Sequence, residues 1–250
     1  RVTDQFMEAV LNNENWELKA RTTGEVIKVI KAADLFKQLA QASWECADPG
    51  IQFDTTINRW HTTPVSGRIN GSNPCSEYVH LDNSACNLSS LNLLTFLNDD
   101  NEFDVEGFRH AVRIMITAQE ILVSPSDYPT ETIGDNARKY RQLGLGYTNL
   151  GALLMALGLA YDSDDARSLA AVITAIMTGE AYKTSSQIAA RLGSFEGYEL
   201  NKEAMLSVLN AHREAIANIP INEAVPPALR AAAVEVWGNV IRFAEQSGVR

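Results

Sequence analysis

Basic residues are scarce in this chain of 250 residues, and their scarcity excludes one large class of function. There are 21 Lys and Arg residues against 31 Asp and Glu residues, which gives a formal net charge of −10. A nucleic-acid surface needs clustered Lys and Arg to neutralise phosphates, so we expect no nucleic-acid partner. Apolar runs of about eighteen residues and a signal peptide are also lacking, so we expect no membrane span and a cytoplasmic location.

Cysteine is scarce as well. The chain has three cysteines, Cys46, Cys75 and Cys86, and no Cys-x-x-Cys pair. An odd number of cysteines without secretory features argues against a structural disulfide framework. The four histidines show no ligand spacing with the thiols, so we expect no metal site. Functional thiols in a reducing compartment are the better hypothesis.

The rest of the composition is typical of a globular protein, since hydrophobic residues make up 46% of the chain. No internal repeat or low-complexity linker divides residues 1–250. The chain starts at Arg1 rather than Met and ends at Arg250 without a polar tail. We therefore expect a piece of a longer protein.

Hydrophobic periodicity predicts an α/β protein whose second half is mainly helical. In the first half we expect a helix and a strand-like turn within 1–20, a helix over 32–46, a loop over 54–72, and strands at 51–53, 73–78 and 85–93. In the second half we expect helices over 104–122, 150–157, 164–192, 201–213 and 226–243. The pair Pro226-Pro227 is typical of a helix start.

The segment Asn73-Pro74-Cys75-Ser76-Glu77 holds an amide, a thiol and a carboxylate within five residues. On an extended segment, Asn73, Cys75 and Glu77 would point to the same face. A hydrogen-bonding amide, a reactive sulfur and a possible base would then line one pocket. Each residue also has a plainer interpretation: a buried small hydrophobe for Cys75, a turn residue for Asn73 and a solvated carboxylate for Glu77.

A second thiol, Cys86, follows Cys75 by eleven residues. On adjacent strands the two thiols could reach a shared substrate; otherwise Cys86 is a core cysteine. Cys46 lies at the end of a predicted helix, and we interpret it as structural. The glycines Gly144 and Gly146 resemble a dinucleotide loop only loosely, because Asn149 breaks the pattern. Close helix packing is the better interpretation of these glycines.

These residues carry a family resemblance. Residues 73–78 and 81–93 together resemble the catalytic segment of ribonucleotide reductases, and the form Asn-Pro-Cys-Ser-Glu-Tyr looks most like the adenosylcobalamin-dependent class II enzymes. Segments 1–7, 48–53, 140–147 and 193–198 fit the same family. The resemblance spans essentially the whole chain, and it is specific because Cys86 lies at the right offset from the Asn-x-Cys-x-Glu motif.

The resemblance implies a role for each residue. Cys75 would become a transient thiyl radical that takes the 3′ hydrogen of the ribose. Glu77 would be the base on the 3′-hydroxyl, and Asn73 would hydrogen-bond the ribose hydroxyls or the substrate radical. Cys86 would be one of two reducing thiols. Adenosylcobalamin would start the radical, and no residue is assigned to hold it.

The resemblance also implies an architecture and partners. The chain would be a central fragment of a ten-stranded α/β barrel, with the radical-cysteine segment near 73–93 and a mainly helical part over 104–250. The partners would be a ribonucleoside di- or triphosphate, a thioredoxin-like or C-terminal-tail dithiol reductant and a second copy in a homodimer. The second reducing cysteine and the phosphate loop would lie outside this chain, so the fragment alone should be inactive.

Two alternatives stay open. A class I reductase large subunit has the same Asn-x-Cys-x-Glu pattern but takes its radical from a partner subunit. The neighbourhood of Pro74 and Tyr78 favours the cobalamin class. A non-catalytic helical interaction fragment is compatible with the acidic composition and the long helices.

Overall fold

The structure is a computed structural model that describes residues 1–48 and 50–250. These residues form two compact units, and each is described by itself. The first unit comprises Arg1–His61 and Arg68–His80, and the second comprises Thr62–Gly67 and Leu81–Arg250.

The first unit is a small α/β body. Its elements are α1 (Asp4–Leu11), β1 (Asn15–Lys19), β2 (Val26–Lys31), α2 (Ala32–Cys46) and α3 (Asp54–Arg59). The strands β1 and β2 pair as an antiparallel hairpin. The hydroxyl of Thr3 accepts a hydrogen bond from the Phe6 amide and so caps the start of α1. Phe6 and Ala9 of α1 pack with Ala32 at the start of α2, and these contacts form the core of the unit.

The second unit is mainly helical. Its elements are β3 (Asn87–Asn92), α4 (Val105–Val123), α5 (Glu131–Tyr140), β4 (Leu143–Thr148), α6 (Leu150–Ala156), α7 (Asp164–Leu192), α8 (Tyr198–Ala215) and α9 (Pro227–Ser247). Short 3₁₀ turns lie at Pro64–Ser66, Leu93–Phe96 and Ile216–Asn218. The strands β3 and β4 are parallel, with Asn87 opposite Leu143 and Asn92 opposite Thr148.

The core of the second unit is large and contains a buried ion network. Apolar side chains of α4, α7 and α9 pack together, including Phe108, Ile173 and Ala233, none of which is exposed. Glu180 of α7 is also fully buried. Its carboxylate accepts hydrogen bonds from Arg109 Nε at 2.9 Å and Arg113 Nη1 at 3.2 Å. The network therefore fastens α7 to α4.

Most of the predicted helices are confirmed, with bounds that shift by a few residues. The predicted helix over 32–46 has the same bounds in the structure. Those predicted from 104 onward correspond to α4, α6, α7, α8 and α9. No helix within 1–48 or 50–250 combines the length and apolar character needed to span a membrane.

Three predictions on the fold outside residues 73–78 are wrong. Residues 51–53 form no strand, only a single bridge from Phe53 to Val2. The predicted loop over 54–72 contains the helix α3. Gly144 and Gly146 belong to the strand β4, not to a glycine-mediated contact between helices. The helix α5 was not anticipated, because its sequence is polar and charged.

Candidate active site

Asn73, Cys75 and Glu77 lie on a tight turn of the first unit. The Ser76 amide donates to the Asn73 carbonyl at 3.1 Å, and the Asn73 amide donates to the Tyr78 carbonyl at 3.3 Å. The Asn73 side-chain oxygen accepts from the Tyr78 amide at 3.0 Å. Pro74 has a fixed φ that suits the second position of such a turn. Ser76 adopts a positive φ of 65°.

This geometry corrects the prediction of a strand over 73–78. Pro74 has no amide hydrogen to donate to a strand partner, and the Asn73 side chain closes the turn locally. The alternation that would place three side chains on one face therefore does not apply. Asn73 is partly buried, whereas Cys75 and Glu77 are exposed. The interpretation of Cys75 as a buried small hydrophobe is accordingly wrong.

Polar side chains fasten the turn to the segment just before α3. Gln52 Nε2 donates to the hydroxyls of Ser72 and Ser76, the latter at 3.2 Å. The Ser72 hydroxyl donates to the Asn73 carbonyl at 2.8 Å. One amide thus holds both sides of the turn. Gln52 lies just before α3, so the position of the turn follows the position of that helix.

The segment that leads into the turn is anchored to α3 more firmly. Asn58 donates to the Ile69 carbonyl at 3.2 Å and accepts from the Ile69 amide at 3.1 Å. Asp54 is buried and pairs with Arg1 and Arg68. Burial alone would raise the pKa of Asp54, but the hydrogen bonds and charges of the two arginines outweigh burial and lower it.

Two histidines of the first unit, His61 and His80, lie close together. The rings of His61 and His80 meet edge to face at 5.8 Å, and the His80 ring stacks with Tyr78 at 6.3 Å. Burial lowers the pKa of His80 to about 4, and the nearby charge of His61 contributes to the shift. Near neutral pH the His80 ring is therefore uncharged.

Cys86 lies in the second unit, immediately before β3. Its side chain is half-buried, and its Sγ lies 3.5 Å from the Asn87 carbonyl oxygen. The strand beside β3 is β4, and Cys75 lies on a turn. The expectation that the two thiols sit on adjacent strands is therefore wrong. Cys46, the last residue of α2, is exposed.

A buried amide of α4 holds the two strands together next to Cys86. Gln119 Nε2 donates to the Asn87 carbonyl at 3.0 Å and to the Gly144 carbonyl at 2.8 Å. Asn87 Nδ2 in turn donates to the Gln119 carbonyl at 3.3 Å. Since side chains alternate along a strand, Asn87 faces α4 and its neighbours Cys86 and Leu88 face away.

Comparison with known proteins places this arrangement in a family. All 250 residues match the family described as the ribonucleotide reductase barrel domain. The chain belongs to the ribonucleotide reductases.

Three relatives illustrate the match. A vitamin B12-dependent ribonucleotide reductase of Streptomyces clavuligerus is 51% identical over 254 residues, which cover all of this chain and 26% of that protein. One of Rhodopirellula baltica is 48% identical over 253 residues, with 100% and 24% covered. A vitamin B12-dependent ribonucleoside-diphosphate reductase of Mycobacterium tuberculosis is 34% identical over 197 residues, with 79% and 28% covered. The chain thus spans about a quarter of the length of these reductases.

Sequence reasoning missed the residues that hold the turn of the first unit and the residue that holds β3 and β4 of the second unit. Gln52, Asn58 and Gln119 are amides on or beside helices, and no local pattern distinguishes them from surface amides. Gly144 did carry a signal, because alternating leucine and glycine indicates close approach of another chain segment. Among the described residues, no group of three or more His, Cys, Asp or Glu side chains is placed to hold a metal ion.

Proposed function

We propose that the intact protein containing this chain is a vitamin B12-dependent ribonucleotide reductase that converts ribonucleotides to 2′-deoxyribonucleotides. The observation that carries the proposal is the fastened turn, which exposes Cys75 and Glu77 on either side of Ser76. An exposed thiol and an exposed carboxylate two residues apart can approach one sugar ring together. The match over the full chain to ribonucleotide reductases supports the same chemistry.

In this proposal Cys75 and Glu77 act on the 3′ position of the ribose. The Cys75 thiyl radical takes the 3′ hydrogen atom, so an S–H bond forms as the C–H bond breaks. Glu77 accepts the proton of the 3′-hydroxyl as a general base. The 2′-hydroxyl takes up one of the two protons that the reducing thiols release and leaves as water. Glu77 returns its proton to the 3′ oxygen when the 3′ carbon regains its hydrogen. Asn73 hydrogen-bonds the ribose hydroxyls and holds the sugar next to Cys75.

The two electrons of the reduction come from a pair of thiols. Cys86 is one of them, and the other lies outside the motif. Their oxidation forms one disulfide and releases two electrons and two protons, which balances the loss of one water from the ribose. A thioredoxin-like protein or a C-terminal dithiol tail then reduces the disulfide. Cys75 recovers its thiyl state when it returns the hydrogen atom to the 3′ carbon.

The exposure of the Cys75 thiol is compatible with adenosylcobalamin as the cofactor. The Cys75 thiol is exposed at a turn, so a cofactor held elsewhere in the intact protein can approach it. We assign no residue of this chain to the corrin ring. When bound, adenosylcobalamin would supply the radical chemistry that starts the reaction.

The architecture we propose is a central fragment, residues 1–250, of a ten-stranded α/β barrel. The parallel pair of β3 and β4 supports it, because parallel strands joined through helices are the unit from which such barrels are built. We propose a ribonucleoside di- or triphosphate substrate, a cytoplasmic location and a homodimer. The relative from Mycobacterium tuberculosis is named for the diphosphate.

The two alternatives have different standing. The names of the relatives favour the B12-dependent class over a class I large subunit. A non-catalytic helical fragment has no comparable support. Cobalamin binding by the intact protein would separate the B12-dependent class from a class I large subunit. Ribonucleotide reduction in the assay described next would exclude a non-catalytic fragment.

The experiment that tests this function is Cys75→Ser in the intact protein, assayed for ribonucleotide reduction with adenosylcobalamin and a dithiol. We expect reduction to be abolished, because a hydroxyl does not form a comparable radical. The melting temperature should not change, since Cys75 is exposed. Cys46→Ser is the matched control, another exposed thiol outside the motif, and should keep full activity. Substantial turnover by Cys75→Ser would contradict the proposal.

A further inference from the structure

The two glycines of β4 occupy similar positions but have different surroundings. A Cβ atom placed on Gly144 would lie 2.5 Å from Leu88 Cδ2 and 2.9 Å from Cys86 Sγ. A Cβ atom placed on Gly146 would meet Ser90 Oγ at 3.4 Å, an ordinary contact. Both glycines pair in register with residues of β3, Gly144 with Leu88 and Gly146 with Ser90. Only Gly144 therefore keeps space open for a neighbouring side chain.

Backbone conformation does not explain why position 144 is a glycine. Gly144 is absent from the glycines of positive φ within the described part of the chain. Another residue could adopt its extended backbone, so the constraint is the space above it. The occupant of that space is the sulfur of Cys86, together with the end of Leu88.

The two neighbours would respond differently to a methyl group at position 144. Leu88 is 67% exposed, so its terminal methyl group can swing into solvent at little cost. The Cys86 sulfur is bonded directly to Cβ, so it can leave only by a change of χ1. That rotation would break its contact with the Asn87 carbonyl at 3.5 Å.

The strand itself is not free to move aside. Gln119 is 3% exposed and bonds the carbonyls of both Asn87 and Gly144. It fixes the distance between the strands at the position of Cys86. Once the end of Leu88 has moved into solvent, the side chain of Cys86, rather than the backbone, must therefore accommodate an added methyl group.

We propose that Gly144 is a positioning residue that seats the Cys86 thiol for its role as a reductant. The open space above Gly144 selects the side-chain rotamer in which Sγ lies over β4. The part of this proposal that concerns turnover rests on the proposed function. The part that concerns the place of the thiol does not.

The test compares Gly144→Ala with its matched control Gly146→Ala in the intact protein. Alkylation of Cys86 by iodoacetamide is followed by peptide mass spectrometry, with Cys46 and Cys75 as internal standards. In Gly144→Ala we expect the rate at Cys86 to rise on the order of threefold or more, because the displaced sulfur becomes more accessible. In Gly146→Ala all three rates should match the parent protein. Equal Cys86 rates in the two variants would overturn the seating proposal.

Turnover separates failure of this proposal from failure of the proposed function. We expect Gly144→Ala to slow repeated turnover with a dithiol on the order of tenfold, since thiol–disulfide exchange depends on access and alignment. Cys86→Ser should block repeated turnover. If Cys86→Ser turned over normally, the reductant role would fail while the alkylation result stood. If Cys86→Ser failed but Gly144→Ala matched its control in both assays, only the seating proposal would fail.

A second background covers the case in which Gly144→Ala does not fold. Leu88→Ala removes the shorter of the two contacts and leaves the one with Cys86. In the Leu88→Ala background, Gly144→Ala should fold and still raise the alkylation of Cys86. Loss of folding in this background too would make Gly144 a structural residue and overturn the proposal.

Discussion

The two thiols assigned to the reaction sit in regions that are built in different ways. Cys75 is exposed on a turn that polar side chains hold, chiefly Gln52 and the Asn73 side chain itself. Cys86 adjoins a strand that is paired on one side and fastened by a buried amide from α4. The difference indicates that the residue proposed to carry the radical is presented on a loop, whereas the residue proposed as a reductant is positioned by packing. Substitutions of exposed turn residues should change rate with little effect on stability, and substitution of a buried charge in the helical unit should change stability.

After the loss of activity expected for Cys75→Ser, Glu77→Gln should give the next largest effect on the turn. The variant keeps the shape of the side chain and removes its basicity. We expect the rate of ribonucleotide reduction in the intact protein to fall on the order of 10²–10⁴-fold, the usual span for a general base. The melting temperature should stay the same, because Glu77 is exposed. Steady-state kinetics and thermal unfolding of the same preparations would measure both.

Controls for Glu77 separate a base from a binding group. Glu25→Gln changes another exposed carboxylate of the first unit and should have parental kinetics. Glu77→Asp retains a base on a shorter side chain and should lose less activity than Glu77→Gln. Normal turnover with much weaker substrate binding in Glu77→Gln would make Glu77 a binding residue.

Glu180→Gln tests the helical side of the comparison. The buried carboxylate faces Arg109, Arg113 and Lys183 at 2.9–3.2 Å. Burial alone would raise the pKa of Glu180, but hydrogen bonds from Arg109 and Lys183 and their charges lower it. Removing the negative charge leaves three cations together. We expect a loss of about 3–5 kcal/mol in the free energy of unfolding, measured by urea denaturation.

The matched control for Glu180 is Glu106→Gln. Glu106 also pairs with Arg109, at 3.0 Å, but its side chain is 77% exposed. An exposed pair contributes roughly 0–1 kcal/mol, so this variant should be close to the parent protein in stability. Similar losses in the two variants would show that burial does not decide the strength of the network.

The sequence predicted the helices well, because helical periodicity is a local signal over many residues. The apolar positions of α4 repeat at helical spacing, and Pro227 begins α9 as expected. The strands were harder. Leu143–Thr148 shows alternating leucine and glycine with too little β-branched character to indicate a strand, and its partner lies more than fifty residues away.

The candidate site was found from its chemistry but not from its geometry. The types and spacing of Asn73, Cys75 and Glu77 indicated the motif, and those residues do lie on one turn. Pro74 carried the signal against a strand, and the prediction gave it too little weight. The contacts from Gln52 and Gln119 depend on tertiary structure, so no local pattern could reveal them.

The smallest effect we predict concerns pH and the first unit. The pKa of His80 is about 4 in the folded protein and about 6.5 when the ring is solvated. Below about pH 6.5 the unfolded chain binds a proton that the folded chain does not, so stability is full above that pH and falls as pH drops toward about 4. At about pH 5 the expected loss is about 2 kcal/mol relative to neutral pH.

The measurement that sharpens this last comparison is unfolding at about pH 5 and at neutral pH for the parent protein, His80→Gln and His212→Gln. Burial also lowers the pKa of His212, which lies in the second unit, so each variant removes one titrating group from one region.

Asp54 and Glu180 have lowered pKa values and stay ionised at about pH 5, so they do not contribute in this window. Ring contacts put His61 and Tyr78 beside His80, and His61 remains in both variants. The pH dependence of the free energy of unfolding should lose the contribution of His80 in His80→Gln and keep that contribution in His212→Gln. If the full dependence persisted in His80→Gln, the proton uptake would belong to another group, with His61 the first to examine.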